Sequence, residues 1–199
     1  MIALDLDNTI ICYDDAFRAA AEDTGCLPAD GIAINKASVK ASALAKDGND
    51  LWTRLQGIAY GSGIQKAKPF PGCKQFISRA LDRNEKLAII SHKTEYPAIG
   101  AKVNLRVAAI NWLGNNGLSF GSRFPVIFCD SREEKIERIR SLNCRALLDD
   151  LPEVFHAPGF PSATRFVLFD PSDAHADWSL SPRVASWDAA TELLMPPRK

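Results

Sequence analysis

Short apolar runs alternate with segments of helical spacing along most of the chain. In the helical segments, apolar residues recur every three or four positions, around Phe76–Leu81, Leu105–Leu113 and Ile136–Leu142. A further strand-like run, RVASW, and the segment DAATELLM follow near the C-terminal end. Five other runs are almost continuously apolar, as is typical of strands buried on both faces of a parallel sheet: IALDL (2–6), KLAIIS (86–91), PVIFC (125–129), CRALLD (144–149) and RFVLFD (165–170). This alternation predicts an α/β fold with a Rossmann-like, doubly wound parallel sheet.

Residues 14–68 interrupt the alternation. Three segments are predicted to be helices with no strand pattern between them: DDAFRAAAEDTG, INKASVKASALAKDG and NDLWTRLQGIAYGSG. Gly25, Gly48 and Gly61 stand where these helices are expected to end, because glycine commonly terminates a helix. We therefore predict a small α-helical cap at 14–68, inserted after the first strand, on a core domain formed by 1–13 and 69–199.

The composition narrows the class of protein. Of 199 residues, 46% are hydrophobic and 24% charged, which is typical of a folded globular chain. Lys+Arg and Asp+Glu both number 24, so the net charge gives no electrostatic reason to expect nucleic acid or a membrane surface as a partner. The apolar runs are too short to span a bilayer, and aspartates interrupt the first of them, so neither a membrane helix nor a signal peptide is expected. Five scattered cysteines without a C-x-x-C motif predict small buried thiols in a reducing cytoplasm.

Two carboxylates follow the first predicted strand. Asp5 and Asp7 lie at its carboxyl end, which is where open α/β sheets bind their ligands. Alternate residues of a strand project to the same side, so both carboxylates could face one reacting centre. Their mutual repulsion is relieved either by a divalent metal or by protonation of one of the two.

Polar residues also stand at the ends of later strands. Ser91 ends the run 86–91, and Asp149 and Asp150 end the run 144–149. Lys135 lies near the start of the helical segment between them. Oxygen ligands in this number favour Mg²⁺ over zinc.

The order of these motifs resembles that of the haloacid dehalogenase (HAD) superfamily over nearly the full chain. LDLDNT resembles the D-x-D-x-T first motif, IISHK the second, the lysine of SREEK the third, and LLDDLPE the acidic fourth. The resemblance implies a HAD-like core with a cap and an Mg²⁺-dependent hydrolase that acts on phosphate monoesters. Members of the superfamily that cleave carbon–halogen bonds lack the second aspartate, so its presence favours phosphate chemistry.

The resemblance also implies individual roles. Asp5 would be the nucleophile that forms an aspartyl-phosphate. Asp7 would protonate the leaving oxygen and then activate water, and Lys135 would offset the negative charge. The implied substrate-binding residues are Thr9, Ser91 and His92, and the implied metal ligands are Asp5, Asp7 through its carbonyl, Asp149 and Asp150. Strand alternation points His92 away from Ser91, which favours an indirect role for the histidine.

The residues leave alternatives open. Asp7 could instead stabilise a turn, and Asp150 could cap the helix in DLPEVF. Ser91 could be an ordinary strand-end hydroxyl, and Lys135 a solvated helix residue. A closing cap favours a small phosphorylated metabolite as substrate. The alternatives to a phosphatase are a phosphomutase or phosphotransferase of the same superfamily, and a non-catalytic binding module that retains the fold. The substrate's identity and the oligomeric state stay open.

Overall fold

The computed structural model describes residues 1–119 and 121–196. Its strands are β1 (Ile2–Leu4), β2 (Ile11–Cys12), β3 (Lys68–Pro69), β4 (Leu87–His92), β5 (Val126–Cys129), β6 (Ala146–Asp149), β7 (Arg165–Phe169) and β8 (Arg183–Val184). Its α-helices are α1 (Asp14–Thr24), α2 (Lys36–Tyr60), α3 (Cys73–Asp82), α4 (Leu105–Asn115), α5 (Arg132–Ser141), α6 (Pro152–Phe155) and α7 (Trp187–Leu194).

Six strands form one parallel sheet in the order β5-β4-β1-β6-β7-β8. The predicted doubly wound α/β fold is therefore confirmed, and each predicted apolar run overlaps one of these strands. From β1 the chain builds the sheet outward through β4 and β5, and then builds its other half through β6, β7 and β8. Such a reversal of strand order opens a crevice at the carboxyl ends of the strands, next to β1.

Helices cover both faces of this sheet. On one face, residues of α5 and α6 join the strands in a buried core: Ala3, Ala88, Ile90, Cys129, Ile136, Ile139, Leu147, Val154, Phe166 and Leu168. On the other face, α3 and α7 meet through Phe76 and Trp187, whose rings lie 4.9 Å apart. The ring of Trp187 also packs against that of Phe169 in β7, with ring centroids 5.8 Å apart. The near-continuous hydrophobicity of the strands follows from this two-sided burial.

The chain divides into two compact units. The first comprises Met1–Ile10, Pro69–Lys93 and the described residues of Phe120–Lys199, and it contains the six-stranded sheet. The second comprises Ile11–Lys68 and Thr94–Ser119. The predicted division placed 1–13 and 69–199 in the core and 14–68 in the cap, so it differs from this grouping in 11–13 and in 94–119. The predicted division into a core domain and a cap domain stays a prediction.

The second unit is helical and has its own aromatic core. Phe17 of α1 stacks on Trp52 of α2 with ring centroids 5.1 Å apart, and Tyr13 meets Tyr60 edge to face at 4.7 Å. Trp112 of α4 is fully buried, and its indole N–H donates to the carbonyl of Ala67 at 3.0 Å. Helices α1 and α2 therefore share an aromatic core, and the buried indole of α4 is bonded to the segment that follows α2.

The predicted helix ends at Gly25, Gly48 and Gly61 have different outcomes. Gly25 ends α1 in the left-handed conformation, and Gly61 follows the last residue of α2. The second and third predicted helices form a single span, α2, which is broken at Asp47 and Gly48. The Gly48 backbone has φ 71° and ψ −155°, a conformation that essentially requires glycine.

The pairing of β2 with β3 in a separate two-stranded sheet was not predicted.

The cysteines match the expectation of small buried thiols. All five are free, and four of them are buried: Cys26, Cys73, Cys129 and Cys144. Burial raises the pKa of the Cys73 thiol to about 12, which keeps it protonated and unreactive at neutral pH.

None of the helices in residues 1–119 and 121–196 combines the length and the apolar character that crossing a lipid bilayer requires.

Candidate active site

The loop after β1 is held in place from several directions. The Asp5 amide donates to the Leu148 carbonyl at 2.9 Å, which continues the pairing of β1 with β6. Asn8 adopts φ 62°, a left-handed conformation that asparagine tolerates better than most residues. The turn closes through a 3.0 Å bond from the Ile10 amide to the Leu6 carbonyl. These contacts fix Asp5 and Asp7 at the edge of the sheet where the strand order reverses.

Lys135 bridges two buried carboxylates at this edge. Its ammonium lies 2.5 Å from Oδ1 of Asp5 and 2.6 Å from Oδ2 of Asp149. The lysine stands in the first turn of α5, whose start is fixed by the Ser131 hydroxyl accepting a bond from the Glu134 amide. A solvated position for Lys135 is therefore wrong, because its side chain is only 3% exposed.

Burial and charge shift the pKa values of this group. Burial is the largest influence on Asp5 and raises its pKa above the ordinary value; the negative charges of Asp149 and Asp7 add to the shift, and Lys135 opposes it. Burial also disfavours the ammonium of Lys135, but the attraction of Asp149 and Asp5 outweighs this and raises the pKa of the lysine. Lys135 therefore stays charged, while Asp5 depends on nearby cations to be ionised.

Three carboxylates lie close enough to share a metal ion. One oxygen from each of Asp5, Asp149 and Asp150 lies within 4.8 Å of the other two. Asp149 is oriented on both sides, since Oδ1 accepts from the Leu151 amide at 3.0 Å and Oδ2 faces Lys135. A set of hard oxygen donors fits Mg²⁺. The predicted ligands Asp5, Asp149 and Asp150 thus lie together, whereas the metal-binding carbonyl of Asp7 stays a prediction.

Two buried hydroxyls near the strand ends have no hydrogen-bond partner among the described residues. They belong to Thr9 and Ser91, which are 0% and 1% exposed. Leaving such a group unsatisfied costs about 1–3 kcal/mol, so each of these hydroxyls is expected to bond a ligand, an ion or a water molecule. Both residues were predicted to bind substrate, and that role stays a prediction.

A second buried lysine, Lys93, was missed by sequence analysis. Its ammonium lies 3.0 Å and 2.8 Å from the two carboxylate oxygens of Asp7. Its amide donates to the Cys129 carbonyl at 3.1 Å and so extends the pairing of β4 with β5 by one residue. The missed indication was the period of two that places Ser91 and Lys93 on one side of the strand. His92, which drew attention instead, is exposed, and its predicted substrate contact remains untested.

No protein-family model matches this sequence, and no curated protein sequence matches it. Solved structures do match over nearly the whole chain. A predicted phosphatase from Clostridium acetobutylicum superposes with a TM-score of 0.66 at 14% identity, covering 98% of both chains. A HAD family hydrolase from Deinococcus radiodurans R1, with bound phosphate and sodium, gives a TM-score of 0.61 at 12% identity and covers 97% of this chain and 93% of the other. The putative HAD-hydrolase YfnB from Bacillus subtilis, bound to magnesium, gives 0.59 at 13% identity and covers 97% of both chains.

The chain has the HAD fold. At such low identities the similarity concerns the fold, so the chemistry must be argued from the residues at the site. In this HAD fold the first and fourth predicted motifs follow adjacent strands, β1 and β6, and the lysine of the third motif joins their carboxylates. The first, third and fourth predicted motifs are thus brought together at one edge of the sheet.

Proposed function

We propose that this protein is a Mg²⁺-dependent phosphatase that hydrolyses a small phosphorylated metabolite through an aspartyl-phosphate on Asp5. The observation that supports it most strongly is the buried bridge from Lys135 to Asp5 and Asp149. A carboxylate can attack a phosphate dianion only where cations offset the repulsion between them. The bridge supplies one cation directly on the proposed nucleophile.

The proposed reaction has two steps in which the charges and protons balance. In the first, an oxygen of Asp5 bonds to phosphorus, the phosphorus–oxygen ester bond breaks, and the leaving oxygen takes a proton from Asp7. In the second, water gives a proton to Asp7 and attacks phosphorus, and the bond from Asp5 to phosphorus breaks. Inorganic phosphate leaves, and Asp7 is again protonated for the next cycle.

The remaining residues bind and neutralise the phosphoryl group in this scheme. The hydroxyls of Ser91 and Thr9 would donate to its oxygens, which would satisfy both buried groups. Lys135 would offset charge on Asp5 and on the phosphoryl group. Bound Mg²⁺, held by Asp5, Asp149, Asp150 and the Asp7 carbonyl, would supply electrostatic stabilisation of the transferring phosphoryl group.

Two of the structural neighbours support this choice of ligands. The Deinococcus radiodurans hydrolase was solved with phosphate, and the Bacillus subtilis protein with magnesium. Free cysteines are typical of a reducing compartment, which favours the cytoplasm as the location of this activity.

The test is phosphate release from a panel of phosphorylated metabolites and from p-nitrophenyl phosphate. We expect turnover with Mg²⁺, loss of turnover on adding EDTA, and recovery on restoring the metal. Asp5→Asn should be folded and inactive, because the amide keeps the shape of the nucleophile without its charge. Asp82→Asn, at the exposed end of α3, is the matched control and should retain full activity.

The same assay separates the alternatives. A phosphotransferase would release little inorganic phosphate until a second hydroxyl compound is added as acceptor. A binding module would retain phosphorylated ligands without turnover. Full activity in a folded Asp5→Asn variant would contradict the proposed chemistry.

A further inference from the structure

The ion pair between Lys93 and Asp7 has no role in the scheme above. The Lys93 side chain is 3% exposed and the Asp7 side chain 19% exposed, so both charges are largely removed from water. Burying an ammonium is costly unless it is paired, and even a paired charge gives little net stability compared with an apolar residue of similar size. A lysine at this position is therefore poorly explained by stability alone.

The geometry of the pair constrains one side chain in particular. Both carboxylate oxygens of Asp7 lie within hydrogen-bond distance of the same ammonium, at 3.0 Å and 2.8 Å. Rotating the carboxylate away from Lys93 would break the pair in a poorly hydrated setting, where charge interactions are stronger than in water. The backbone of Lys93 is itself fixed by its bond to Cys129 on β5.

The position of Lys93 on the sheet places the Lys93–Asp7 pair next to the candidate active site. It lies two residues after Ser91, whose buried hydroxyl is proposed to bind the phosphoryl group. Strand β4, which contains Ser91 and ends at His92, pairs directly with β1, and β1 leads into Asp5 and Asp7. One extended segment thus presents a hydroxyl and an ammonium beside the loop that contains the nucleophile.

We propose that Lys93 is a positioning residue that acts through Asp7. Once Asp7 has given its proton to the leaving group, Lys93 donates to both oxygens of the resulting carboxylate and holds it where it takes a proton from the attacking water. This inference rests on the proposed phosphatase function. It predicts that Lys93 affects the rate of turnover and does not contribute to binding of the phosphate group.

The first experiment measures kcat, KM and inhibition by inorganic phosphate with p-nitrophenyl phosphate as the substrate. For Lys93→Met we expect kcat to fall about 10- to 100-fold. This is smaller than the loss usually caused by removing an acid–base residue itself, because Lys93 acts only through Asp7. KM and the inhibition constant for phosphate should change less than about twofold, within the error of such a comparison. Lys93→Arg should recover most of kcat, because a guanidinium can also donate to both oxygens. Lys74→Met, on the exposed side of α3, is the control for loss of one positive charge.

The second experiment is a double-mutant cycle with Asp7→Asn. If Lys93 acts through Asp7, adding Lys93→Met to Asp7→Asn should lower kcat by less than about threefold, because coupled residues have strongly non-additive effects. The double variant removes both charges, so it also provides a folded protein if Lys93→Met alone is unstable. Thermal unfolding of each variant shows whether the protein measured is folded.

Three results would overturn the inference: additive losses in the cycle, a Lys93→Met variant with normal kcat, and a phosphate inhibition constant that rises tenfold or more. The last would make Lys93 a direct phosphate ligand. Asp5→Asn separates this failure from failure of the proposed function. If Asp5→Asn is inactive while any of these results is found, only the role of Lys93 is wrong; if Asp5→Asn is active, the phosphatase scheme itself is wrong.

Discussion

The indole of Trp187 donates a hydrogen bond of 3.1 Å to the carbonyl of Thr9. Both residues are fully buried, and 178 positions of sequence separate them. The last helix of the fold is thereby connected to the loop that contains the proposed nucleophile. The conformation of the loop after β1 therefore depends on the packing of the last helix as well as on the loop's own turn residues.

We predict that Trp187→Phe destabilises the protein while keeping its aromatic contacts with Phe76 and Phe169. The substitution leaves the Thr9 carbonyl without its donor and removes part of a fully buried ring. A loss of about 1–3 kcal/mol in the free energy of unfolding is expected from the unsatisfied carbonyl. Urea denaturation measures it, and an unchanged midpoint would show that the bond contributes nothing.

Lys135→Met should destabilise the protein and make its stability depend strongly on Mg²⁺. Without the ammonium, either Asp5 and Asp149 stay as two buried like charges or Asp5 takes up a proton, and breaking a buried pair in this way typically costs about 3–5 kcal/mol. A divalent cation replaces the lost charge, so Mg²⁺ should raise the melting temperature of the variant more than that of the wild type. Equal shifts in the two proteins, measured by calorimetry, would contradict metal binding at these carboxylates.

Asp170→Asn should destabilise the protein in a manner that depends on pH. Burial opposes ionisation of Asp170, but bonds from the His175 amide, Arg183 and the Ala174 amide outweigh it and hold the pKa of Asp170 below its ordinary value of 3.8. Stability from the ionised carboxylate is therefore complete above that value and is lost as the pH falls through the lower, folded-state pKa.

Urea unfolding tests this across pH. We expect the free energy of unfolding of Asp170→Asn to be lower than that of wild type by roughly 1.5–3 kcal/mol, as for hydrogen bonds to a charged group. This difference should be constant between pH 7 and about pH 5. The difference from wild type should shrink below about pH 4. Asp177→Asn, an exposed residue of the same loop, serves as the control. A difference that grows as the pH falls would contradict the sign of the shift.

Two glycines of the helical unit should respond in opposite ways to alanine. At Gly48 nothing lies within 4 Å of an added Cβ, yet φ 71° is strained for any L-residue, so Gly48→Ala should destabilise by about 1 kcal/mol or more. Gly114 lies within α4 and has equal space, so Gly114→Ala should stabilise by about 0.5–1 kcal/mol. Thermal unfolding of the two variants compares backbone strain at equal side-chain volume. The account of the break in α2 is wrong if Gly48→Ala is neutral.

Local sequence patterns predicted the sheet and the edge of it at which the candidate residues meet, because both follow from the order of buried strands and the polar residues after them. Strands buried on two faces are apolar throughout, and residues that follow parallel strands meet at one edge of the sheet. Asp5 and Asp149 could therefore be placed at the same edge of the sheet before their strands, β1 and β6, were known to pair.

The features that were missed depend on contacts between distant residues. The period of two could have placed Lys93 on the same side of its strand as Ser91, but it does not reveal the pairing with Asp7, which lies 86 positions away. Trp112 of α4 reaches the Ala67 carbonyl across 45 positions, a contact that helical periodicity cannot reveal. The Gly48 position was recognised, but glycine spacing cannot distinguish the end of a helix from a break inside one.

The central claim is that Asp5 forms a covalent bond to phosphorus, and chemical trapping tests it most directly. Asp7→Asn and wild-type protein are mixed with p-nitrophenyl phosphate and Mg²⁺, quenched in acid, and treated with sodium borohydride, which reduces an acyl phosphate to an alcohol. In Asp7→Asn the covalent form should accumulate, because water attack lacks its base while the good leaving group needs little protonation. The account predicts that mass spectrometry finds reduction at Asp5, and that Asp5→Asn shows none. Turnover by the wild type with trapping at another residue, or with no reduction at Asp5 in either protein, would contradict it.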